Sequence, residues 1–298
     1  MTTSTSDLST PEGLADAIDG TFADAPSPSD DLVARGFKLL PEVLAEMGQM
    51  FVPPPEELTM MIYGSPGVGK TSLVAGRPGT LFLATEPGTE FLHASQVYLK
   101  DWHHFQGIVD EIVELKAQGV CPYRSVAIDI IDNLSGLCLD AVCAAKGVTY
   151  PPENDFGKTW RQIRVVWETQ LRRLMEVVNV TYLTHCSVEK REVKGKVGKK
   201  EVDVYMPTFK GNKLAQYLDG VVHAVGFISK NDQDQHTINF ENLATSGAKD
   251  RTGLLSVLGD IVIQVPGGDP KAAWAKFADA YRARAEQVNF KIKSRWDA

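Results

Sequence analysis

The stretch Met61–Leu73, MIYGSPGVGKTSL, decides the fold of this chain. It matches the phosphate-loop pattern G-x-x-x-x-G-K-[ST] without a gap, from Gly64 to Thr71. The apolar run before the loop predicts a buried strand, and we expect a helix to begin near Lys70. A strand, a glycine-rich loop and a helix in this order are the setting in which the pattern binds nucleotide phosphates.

Each part of the loop has its own chemistry. Glycines let backbone N–H groups converge on phosphate oxygens, and the start of the helix adds partial positive charge. Lys70 is expected to reach the β- and γ-phosphates, and the Thr71 hydroxyl is expected to ligate Mg²⁺. The predicted phosphate-binding residues are Gly64, Ser65, Pro66, Gly67, Val68, Gly69, Lys70, Thr71 and Ser72.

The composition is that of a soluble globular protein: of 298 residues, 43% are hydrophobic and 23% are charged. No apolar run approaches the roughly 20 residues of a membrane span. The N-terminal residues lack the basic and apolar parts of a signal peptide. We therefore expect a cytoplasmic protein with no membrane contact. The four cysteines form no C-x-x-C or zinc-binding pattern and are expected to be reduced.

The negative charge is concentrated at the N-terminus. Residues 1–31 contain seven acids and no lysine or arginine, so their charge of −7 equals that of the whole chain. The remaining residues sum to zero, and a polyanion would have to meet a local basic patch. The predicted domains are a disordered acidic tail (1–31), a short helical lead-in with a proline linker (32–57), a nucleotide-binding core (58–265), and a C-terminal helix and tail (266–298).

Strand and helix patterns alternate from Leu58 onward. Further strands are predicted at 80–86, 125–130 and 180–185, helices at 101–119, 133–147, 158–178 and 269–287, and β-rich segments at 220–229 and 236–242. The fold class is therefore α/β. We expect a P-loop core with a mostly parallel sheet, helices on both faces of it, and a β-rich C-terminal part.

Carboxylates follow two of the predicted strands. Asp129 ends an apolar run, so its side chain should emerge at the carboxyl edge of the sheet and hold the Mg²⁺ water shell. Asp132 competes for that role, although its position before the next helix suits a helix cap. Glu86, at the end of the neighbouring strand, would face the same cleft and orient the attacking water.

This arrangement resembles the RecA-like ATPases. In those proteins the catalytic glutamate ends the strand after the loop helix, as Glu86 does here, and an aspartate like Asp129 ends the Mg²⁺ strand. In AAA-plus proteins the glutamate directly follows that aspartate, whereas here Ile130 does. From Leu58 to Val265 the chain looks most like the phage-encoded RecA-like AAA-domain proteins, which include Sak-type single-strand annealing proteins. The resemblance implies hydrolysis of ATP with Mg²⁺.

Two more elements carry the resemblance. RecA-like proteins end the next strand in a polar sensor of the γ-phosphate, commonly glutamine, and here Thr184 and His185 occupy that place. The stretch GAKDRTGLL resembles the K-x-R-x-G element that RadA-like relatives use across a subunit interface. It implies that Lys249 and Arg251 contact the γ-phosphate of a neighbouring subunit. The expected assembly is a homo-oligomer with ATP at the subunit interface.

A basic segment follows the sensor strand, where RecA-like proteins have their second DNA-binding loop. Its six basic residues, against one acid between positions 190 and 200, are Lys190, Arg191, Lys194, Lys196, Lys199 and Lys200. Valines around Gly195 and Gly198 predict a mobile hairpin, which we expect to bind the phosphates of single-stranded DNA. The other DNA loop of the family would lie at 146–160, with Tyr150, Phe156 and Trp160 for stacking, although Trp160 also suits the core face of a helix.

The favoured prediction is an ATPase that binds single-stranded DNA and acts in recombination or strand annealing, with a single-strand binding protein as a further partner. One alternative is a nucleotide-gated loader or regulator that docks a protein, with the acidic tail as the docking segment. The other is a small-molecule or protein kinase, for which the sequence shows neither an acceptor site nor a lid.

Overall fold

The computed structural model describes residues 34–36, 51–88, 92, 94–195, 198–209, 213–243 and 245–296. The chain divides into two units, Met1–Phe51 and Val52–Ala298. The acidic tail predicted for residues 1–31 lies outside the described residues, as does most of the predicted helical lead-in. The second unit contains the whole phosphate loop.

The β-strands follow one another along the chain as predicted, with a few additions. They are β1 (Phe51–Val52), β2 (Met60–Tyr63), β3 (Thr80–Ala84), β4 (Ser95–Tyr98), β5 (Ser125–Asp129), β6 (Asn179–Thr184), β7 (Cys186–Gly195), β8 (Gly198–Pro207), β9 (Ala224–Lys230), β10 (His236–Asn239), β11 (Lys249–Asp250), β12 (Ile261–Val262) and β13 (Lys291–Ile292). Strands β7 and β8 form a separate antiparallel ribbon, which we call the basic hairpin, and an isolated parallel bridge joins Tyr205 of β8 to Ser246.

The central sheet is mostly parallel. Within the described part of the chain it has nine strands in the order β12-β10-β9-β2-β6-β5-β3-β4, with β11 attached to β9. The neighbours from β9 to β4 are parallel, whereas β10, β11 and β12 add antiparallel pairs. The predicted parallel sheet is confirmed, and the predicted β-rich C-terminal part extends this same sheet.

Helices cover both faces of the sheet, as predicted. The described residues form six α-helices: α1 (Lys70–Ala75), α2 (Trp102–Ala117), α3 (Ile131–Ala145), α4 (Lys158–Val177), α5 (Lys213–Val221) and α6 (Pro270–Gln287). Successive side chains of a strand point to opposite faces. In β2, Met61 and Tyr63 therefore belong to the core under α2, α3 and α4, whereas Met60 and Ile62 belong to the core under α1 and α6.

The parallel register brings the ends of four strands to one edge of the sheet. Tyr63, the last residue of β2, pairs with Thr184, the last residue of β6. Ala84 at the end of β3 pairs with Asp129, which in turn pairs with Leu183. The residues that directly follow these strands therefore meet in one place, the usual ligand-binding edge of a parallel sheet.

Two glycines permit the close approaches that position the phosphate loop. A Cβ atom on Gly64 would lie 2.4 Å from the carbonyl oxygen of Ile228 in β9. A Cβ atom on Gly76, just after α1, would lie 1.9 Å from the carbonyl oxygen of Pro270 at the start of α6. A larger residue at position 64 would push the phosphate loop away from β9, and one at position 76 would push α1 away from α6, because protein interiors are close-packed.

Candidate active site

The phosphate loop folds around its own lysine. Gly67 and Gly69 have positive φ angles of 78° and 93°, which glycine adopts at little cost. The Lys70 ammonium donates hydrogen bonds to the carbonyl oxygens of Gly64, at 2.8 Å, and Ser65, at 3.1 Å. Burial lowers the pKa of Lys70, and nearby carboxylates oppose that shift. This desolvated cation would gain from an anionic phosphate oxygen.

The residues predicted to hold Mg²⁺ are in contact with each other. The Thr71 hydroxyl donates a hydrogen bond of 2.8 Å to Oδ2 of Asp129, and the Asp129 side chain is buried. Burial raises the pKa of Asp129, and the hydrogen bond from Thr71 acts against that shift. A buried carboxylate beside a hydroxyl at the mouth of a phosphate loop is well placed to meet a bound cation.

Asp132 is engaged elsewhere, and the helix-cap role considered for it is wrong. The N-cap of α3 is Ile130, and no side chain caps that end. The Asp132 carboxylate instead accepts hydrogen bonds from the hydroxyls of Thr184, at 2.6 Å, and Thr208, at 2.7 Å. Asp132 therefore ties α3 to the end of β6 and to the exit of the basic hairpin, which leaves Asp129 as the better candidate for the metal.

Glu86 and His185 lie side by side at the same edge. Oε1 of Glu86 is 3.7 Å from Nε2 of His185, and their side chains are 37% and 33% exposed. Oε2 of Glu86 is 3.5 Å from the Asn133 amide nitrogen. Nδ1 of His185 is buried without a hydrogen-bond partner among the described residues. Both predicted residues interact electrostatically with Asp129, so the three side chains lie near one another at this edge of the sheet.

Sequence interpretation missed two residues that support the site from outside. The Thr85 hydroxyl binds the backbone of Ile130 twice, accepting from its N–H at 2.9 Å and donating to its carbonyl at 3.0 Å. These two hydrogen bonds join the ends of β3 and β5. Because Thr85 precedes Glu86 and Ile130 follows Asp129, they also fix the position of Glu86 relative to Asp129. His236 of β10 forms a 2.8 Å hydrogen bond to the carbonyl oxygen of Val68 in the phosphate loop.

Lys249 and Arg251 lie away from the phosphate loop of their own chain. Lys249 donates to the carbonyl oxygen of Asp219, at 2.6 Å, and Arg251 donates to those of Gly220 and Asp219, at 2.6 and 2.9 Å. These carbonyls belong to the last turn of α5, which cations stabilise. In the strand register Lys249 pairs with Val225, near the start of β9. Both cations therefore lie toward the edge of the sheet opposite to the phosphate loop. Any contact with ATP would have to be made in another copy.

The basic hairpin begins directly after His185. Residues 188–192 on its outgoing strand are exposed. Lys190 pairs with Glu201, at 3.4 Å, and Arg191 pairs with Glu189, at 2.8 Å. Two of the six predicted DNA-binding cations are therefore partly neutralised within the hairpin.

Lys194, Lys199 and Lys200 lie toward the tip of the basic hairpin. The register places Lys194 opposite Lys199, one step from Lys200, whereas Lys196 lies outside the described residues. Residues 193–200 include no acid. The tip is therefore a purely cationic segment.

The phosphate loop, the Thr71–Asp129 contact and the parallel sheet order are the features of a P-loop NTPase. The family model described as AAA domain matches residues 56–252, more than half of the chain. The chain belongs to the AAA domain family. A search of curated proteins found no significant match. The AAA domain match spans every site residue described so far, and membership makes the chain part of a nucleotide-binding ATPase family.

The donor set of this AAA domain fits Mg²⁺ held jointly by protein and nucleotide. No group of three or more His, Cys, Asp or Glu side chains suited to a metal occurs among the described residues. Mg²⁺ keeps several waters and binds through one or two protein ligands together with substrate phosphates. Thr71 and Asp129, 2.8 Å apart, are the residues that would hold it.

The described helices include none that is long and apolar enough to span a membrane.

Replacing Asp129 with asparagine separates metal binding from folding. Asp129→Asn should abolish the strengthening of ATP binding by Mg²⁺, because the carboxylate is removed. Without nucleotide its melting temperature should not fall, because burial raises the pKa of Asp129 and its ionised form destabilises the free protein at neutral pH. The melting advantage of the variant should shrink as pH falls toward about 3.9, the ordinary aspartate pKa, because the carboxyl is then protonated in the folded state and increasingly protonated in the unfolded state.

Thermal melting from pH 4 to 8 and Mg²⁺-titrated ATP binding test this prediction. Asp140→Asn, at an exposed position of α3, is the matched control and should leave both measurements unchanged. If Mg²⁺ strengthened ATP binding by Asp129→Asn as much as by the wild type, the metal ligand would have to be another residue.

Proposed function

We propose that this AAA domain hydrolyses ATP and uses the bound nucleotide to control single-stranded DNA binding in recombination or strand annealing. The observation that carries the proposal is the continuity of the polypeptide at His185. This residue contacts the candidate catalytic carboxylate, Glu86, and the next residue starts the basic hairpin. A change at the γ-phosphate therefore has a direct covalent path to a cationic ribbon.

In the proposed reaction each residue of the cleft has one task. Glu86 orients the water that attacks the γ-phosphorus and takes up its proton as the bond to the β-phosphate oxygen breaks. Lys70 leaves its two carbonyl partners and contacts the β- and γ-phosphates, while Thr71 and Asp129 would hold Mg²⁺. Mg²⁺, when bound, supplies positive charge that offsets the charge of the phosphates. His185 contacts the γ-phosphate and transmits its presence.

A second connection joins the hairpin to the phosphate-loop strand. The Tyr63 hydroxyl, at the end of β2, donates to the carbonyl oxygen of Tyr205 in β8, at 3.2 Å, and accepts from the Gly247 amide, at 2.9 Å. The ring of Phe227 in β9 stacks on both tyrosines, with centroids 4.9 and 5.3 Å apart. Both ends of the basic hairpin are thus attached to elements that border the nucleotide. This favours a concerted response to the nucleotide over independent motion.

The charge pattern of the hairpin favours a polyanionic partner. Like charges directly opposite each other in an antiparallel pair are destabilising, yet Lys194 faces Lys199. An extended phosphate backbone would neutralise these charges and release its counterions, which gives the binding its free energy. The acids of the hairpin, Glu189, Glu192, Glu201 and Asp203, precede Val193 or follow Lys200, and the Glu192–Glu201 pair is the acidic pair nearest the tip. The tip is therefore the proposed DNA contact.

The loop before α4 offers an aromatic side chain suited to stacking on a base. Phe156 is 94% exposed and has a φ of 54°, an uncommon value for a bulky residue. The Asp155 carboxylate holds the loop by accepting from the amides of Gly157, at 2.8 Å, and Thr159, at 2.9 Å. Trp160 is half-buried against the core and is not available. We propose Phe156 as a stacking contact for single-stranded DNA.

The proposal also includes a second copy of the chain. Lys249 and Arg251 would contact ATP bound to a neighbouring subunit, after exchanging the carbonyl oxygens of α5 for phosphate oxygens. Because burial lowers the pKa of Lys249, and Arg251 beside it adds to that shift, an anion between subunits would relieve the repulsion of these two cations. A single-strand binding protein remains a further proposed partner.

Removing the tip charges tests the DNA proposal. Replacing Lys194, Lys196, Lys199 and Lys200 with alanine should weaken single-stranded DNA binding and flatten its salt dependence, by a slope of about 0.7 for each phosphate that the protein no longer neutralises. ATP affinity should stay unchanged, because these residues lie beyond His185. Fluorescence anisotropy of a labelled oligonucleotide, titrated with salt in the presence of ATP and Mg²⁺, measures the slope.

Two double variants that remove equal charge sharpen this test. Lys194→Ala with Lys199→Ala should flatten the slope more than Lys190→Ala with Arg191→Ala, because the latter cations are already paired with glutamates. A quadruple variant with an unchanged slope, or a wild type that binds no DNA, would overturn the proposal. A loader or regulator acting on a protein would then be the better account.

A further inference from the structure

One carboxylate with no task in the proposed reaction contacts both ends of the basic hairpin. Asp132 lies in the first turn of α3. Its Oδ2 accepts from the hydroxyl of Thr184, at 2.6 Å, and its Oδ1 accepts from the hydroxyl of Thr208, at 2.7 Å. Thr184 lies two positions before the first residue of the hairpin, and Thr208 directly follows its last residue. A single side chain of α3 is therefore bound to both ends of the ribbon.

The geometry gives the carboxylate priority over other partners of these hydroxyls. Each hydroxyl has one proton to donate. The two hydroxyl oxygens are 3.1 Å apart, farther than either is from the carboxylate, so both protons go to Asp132. Hydrogen bonds to a carboxylate are of the stronger, charge-assisted kind. Without Asp132 one hydroxyl could still donate to the other, so the hairpin ends would stay together while α3 was released from them.

The same contacts hold the backbone of His185 from both sides. Thr184 precedes His185, and the backbone N–H of Thr208 donates to the carbonyl oxygen of His185, at 3.0 Å. The backbone N–H of Phe209 donates to the Thr184 hydroxyl oxygen, at 3.4 Å. The ring of Phe209 packs in the core, with its centroid 5.8 Å from that of Trp167. A displacement at Asp132 would therefore reach the hairpin start, the hairpin exit and His185 together.

Asp132 is also close along the chain to the residue that would hold Mg²⁺. Only Ile130 and Ile131 separate it from Asp129, and both isoleucines are buried. The charge of Asp132 acts on Lys70 as well, where it opposes the lowering of the lysine pKa. Because a closely packed turn transmits strain, a shift of Asp129 on metal binding would be passed to Asp132.

We propose that Asp132 is a positioning residue that transmits the nucleotide state from Asp129 to the basic hairpin, by making Thr184 and Thr208 move with α3. The inference rests on the proposed function, since it takes the hairpin as the DNA contact. This connection differs from the one through His185, because one side chain reaches both ends of the hairpin. Its loss should uncouple DNA binding from the nucleotide without removing either binding site.

The coupling is measured as a ratio of DNA affinities, with ATP and with ADP, both in the presence of Mg²⁺. A Glu86→Gln parent holds ATP without consuming it and should bind single-stranded DNA about 5- to 150-fold more tightly with ATP. Thr208→Val keeps the side-chain shape and removes the hydroxyl. It should reduce the ratio toward 1, by about 2- to 30-fold, the usual effect of a mutation along a coupled network. Asp132→Ala should do the same, and both variants should keep the ATP affinity of the parent.

A rescue and a double variant separate coupling from general stability. Thr208→Ser restores the hydroxyl and should restore the ratio. Combining Asp132→Ala with Thr208→Val should reduce the ratio no further than Asp132→Ala alone, because the two changes break the same connection. A merely structural role would alter DNA affinity equally in both nucleotide states. Thr169→Val in α4 and Asp140→Ala in α3, both at exposed positions, are the controls and should keep the parent's ratio.

The outcomes distinguish this inference from the proposed function. If the parent binds no DNA, or binds it equally with ATP and ADP, the proposed function fails and the inference fails with it. If the parent shows the ratio and either Asp132→Ala or Thr208→Val keeps it, only the inference fails. Should Asp132→Ala lose ATP binding, Thr208→Val decides, because position 208 is exposed. A reduced ratio that Thr208→Ser restores then supports the inference, and an unchanged ratio overturns it.

Discussion

Lys70→Ala should bind ATP about 30-fold more weakly or worse, because removing one partner of a buried charge pair costs roughly 2–5 kcal/mol. The folded structure should persist. In the free protein, Lys70 donates only to loop carbonyls among the contacts described, and burial lowers its pKa, so its charge favours ligand binding more than stability. Isothermal titration with ATP, together with thermal melting, measures both effects.

Lys116→Ala is the control for this removal of charge. Lys116 lies in the last turn of α2, beside residues at the opposite edge of the sheet. The Lys116→Ala variant should bind ATP with wild-type affinity. Wild-type affinity in Lys70→Ala would show that the loop is not the nucleotide site, whatever the melting temperature.

Glu86→Gln should keep ATP binding and reduce turnover by about 10²–10⁴-fold, the usual contribution of a general base. The amide keeps the shape of the side chain and its neighbours His185 and Asn133, but it cannot take a proton from water. Steady-state phosphate release and ATP binding measured on the same preparation separate the two effects.

Glu111→Gln, at an exposed position of α2, controls for the removal of one carboxylate and should hydrolyse ATP normally. Undiminished turnover in Glu86→Gln would show that another carboxylate acts as the general base. Asp132 is a poor substitute, because the hydroxyls of Thr184 and Thr208 occupy it. Glu90, the next carboxylate along the chain after Glu86, lies outside the described residues.

Local patterns explain why the fold class could be predicted from the sequence. The apolar runs that became β2, β3, β5 and β6 are buried at every residue, as expected for parallel strands covered on both faces. Chain order and the phosphate loop then place Gly64, Glu86, Asp129 and His185 at one edge. That reasoning needs only strand direction, which connecting helices of this length determine.

Elements with weak patterns were missed for physical reasons. Helix α5 has only nine residues, shorter than the window of roughly 11–18 residues over which helical periodicity is recognised in a sequence. Strand β4 is short and mostly exposed, so it carries no alternation. Its position is determined by pairing with β3, which is far more apolar.

The supporting contacts of the site depend on long-range packing. His236 meets Val68 across 168 positions of sequence, and no local pattern could connect them. The Asp132 side chain was expected to cap its own helix, but two threonine hydroxyls from β6 and the hairpin exit compete successfully for it. Such choices depend on the distances that the folded sheet creates and on the number of donors that surround each carboxylate.

The central claim is tested most directly by measuring the affinity of Glu86→Gln for single-stranded DNA twice, once with ATP and once with ADP, both in the presence of Mg²⁺. The variant holds ATP without consuming it, so the contribution of the γ-phosphate is measured at equilibrium. Coupling through His185 to the basic hairpin predicts DNA binding that is about 5- to 150-fold tighter with ATP, the usual range for linked sites. Equal affinity in the two nucleotide states, or no DNA binding in either, would contradict the account.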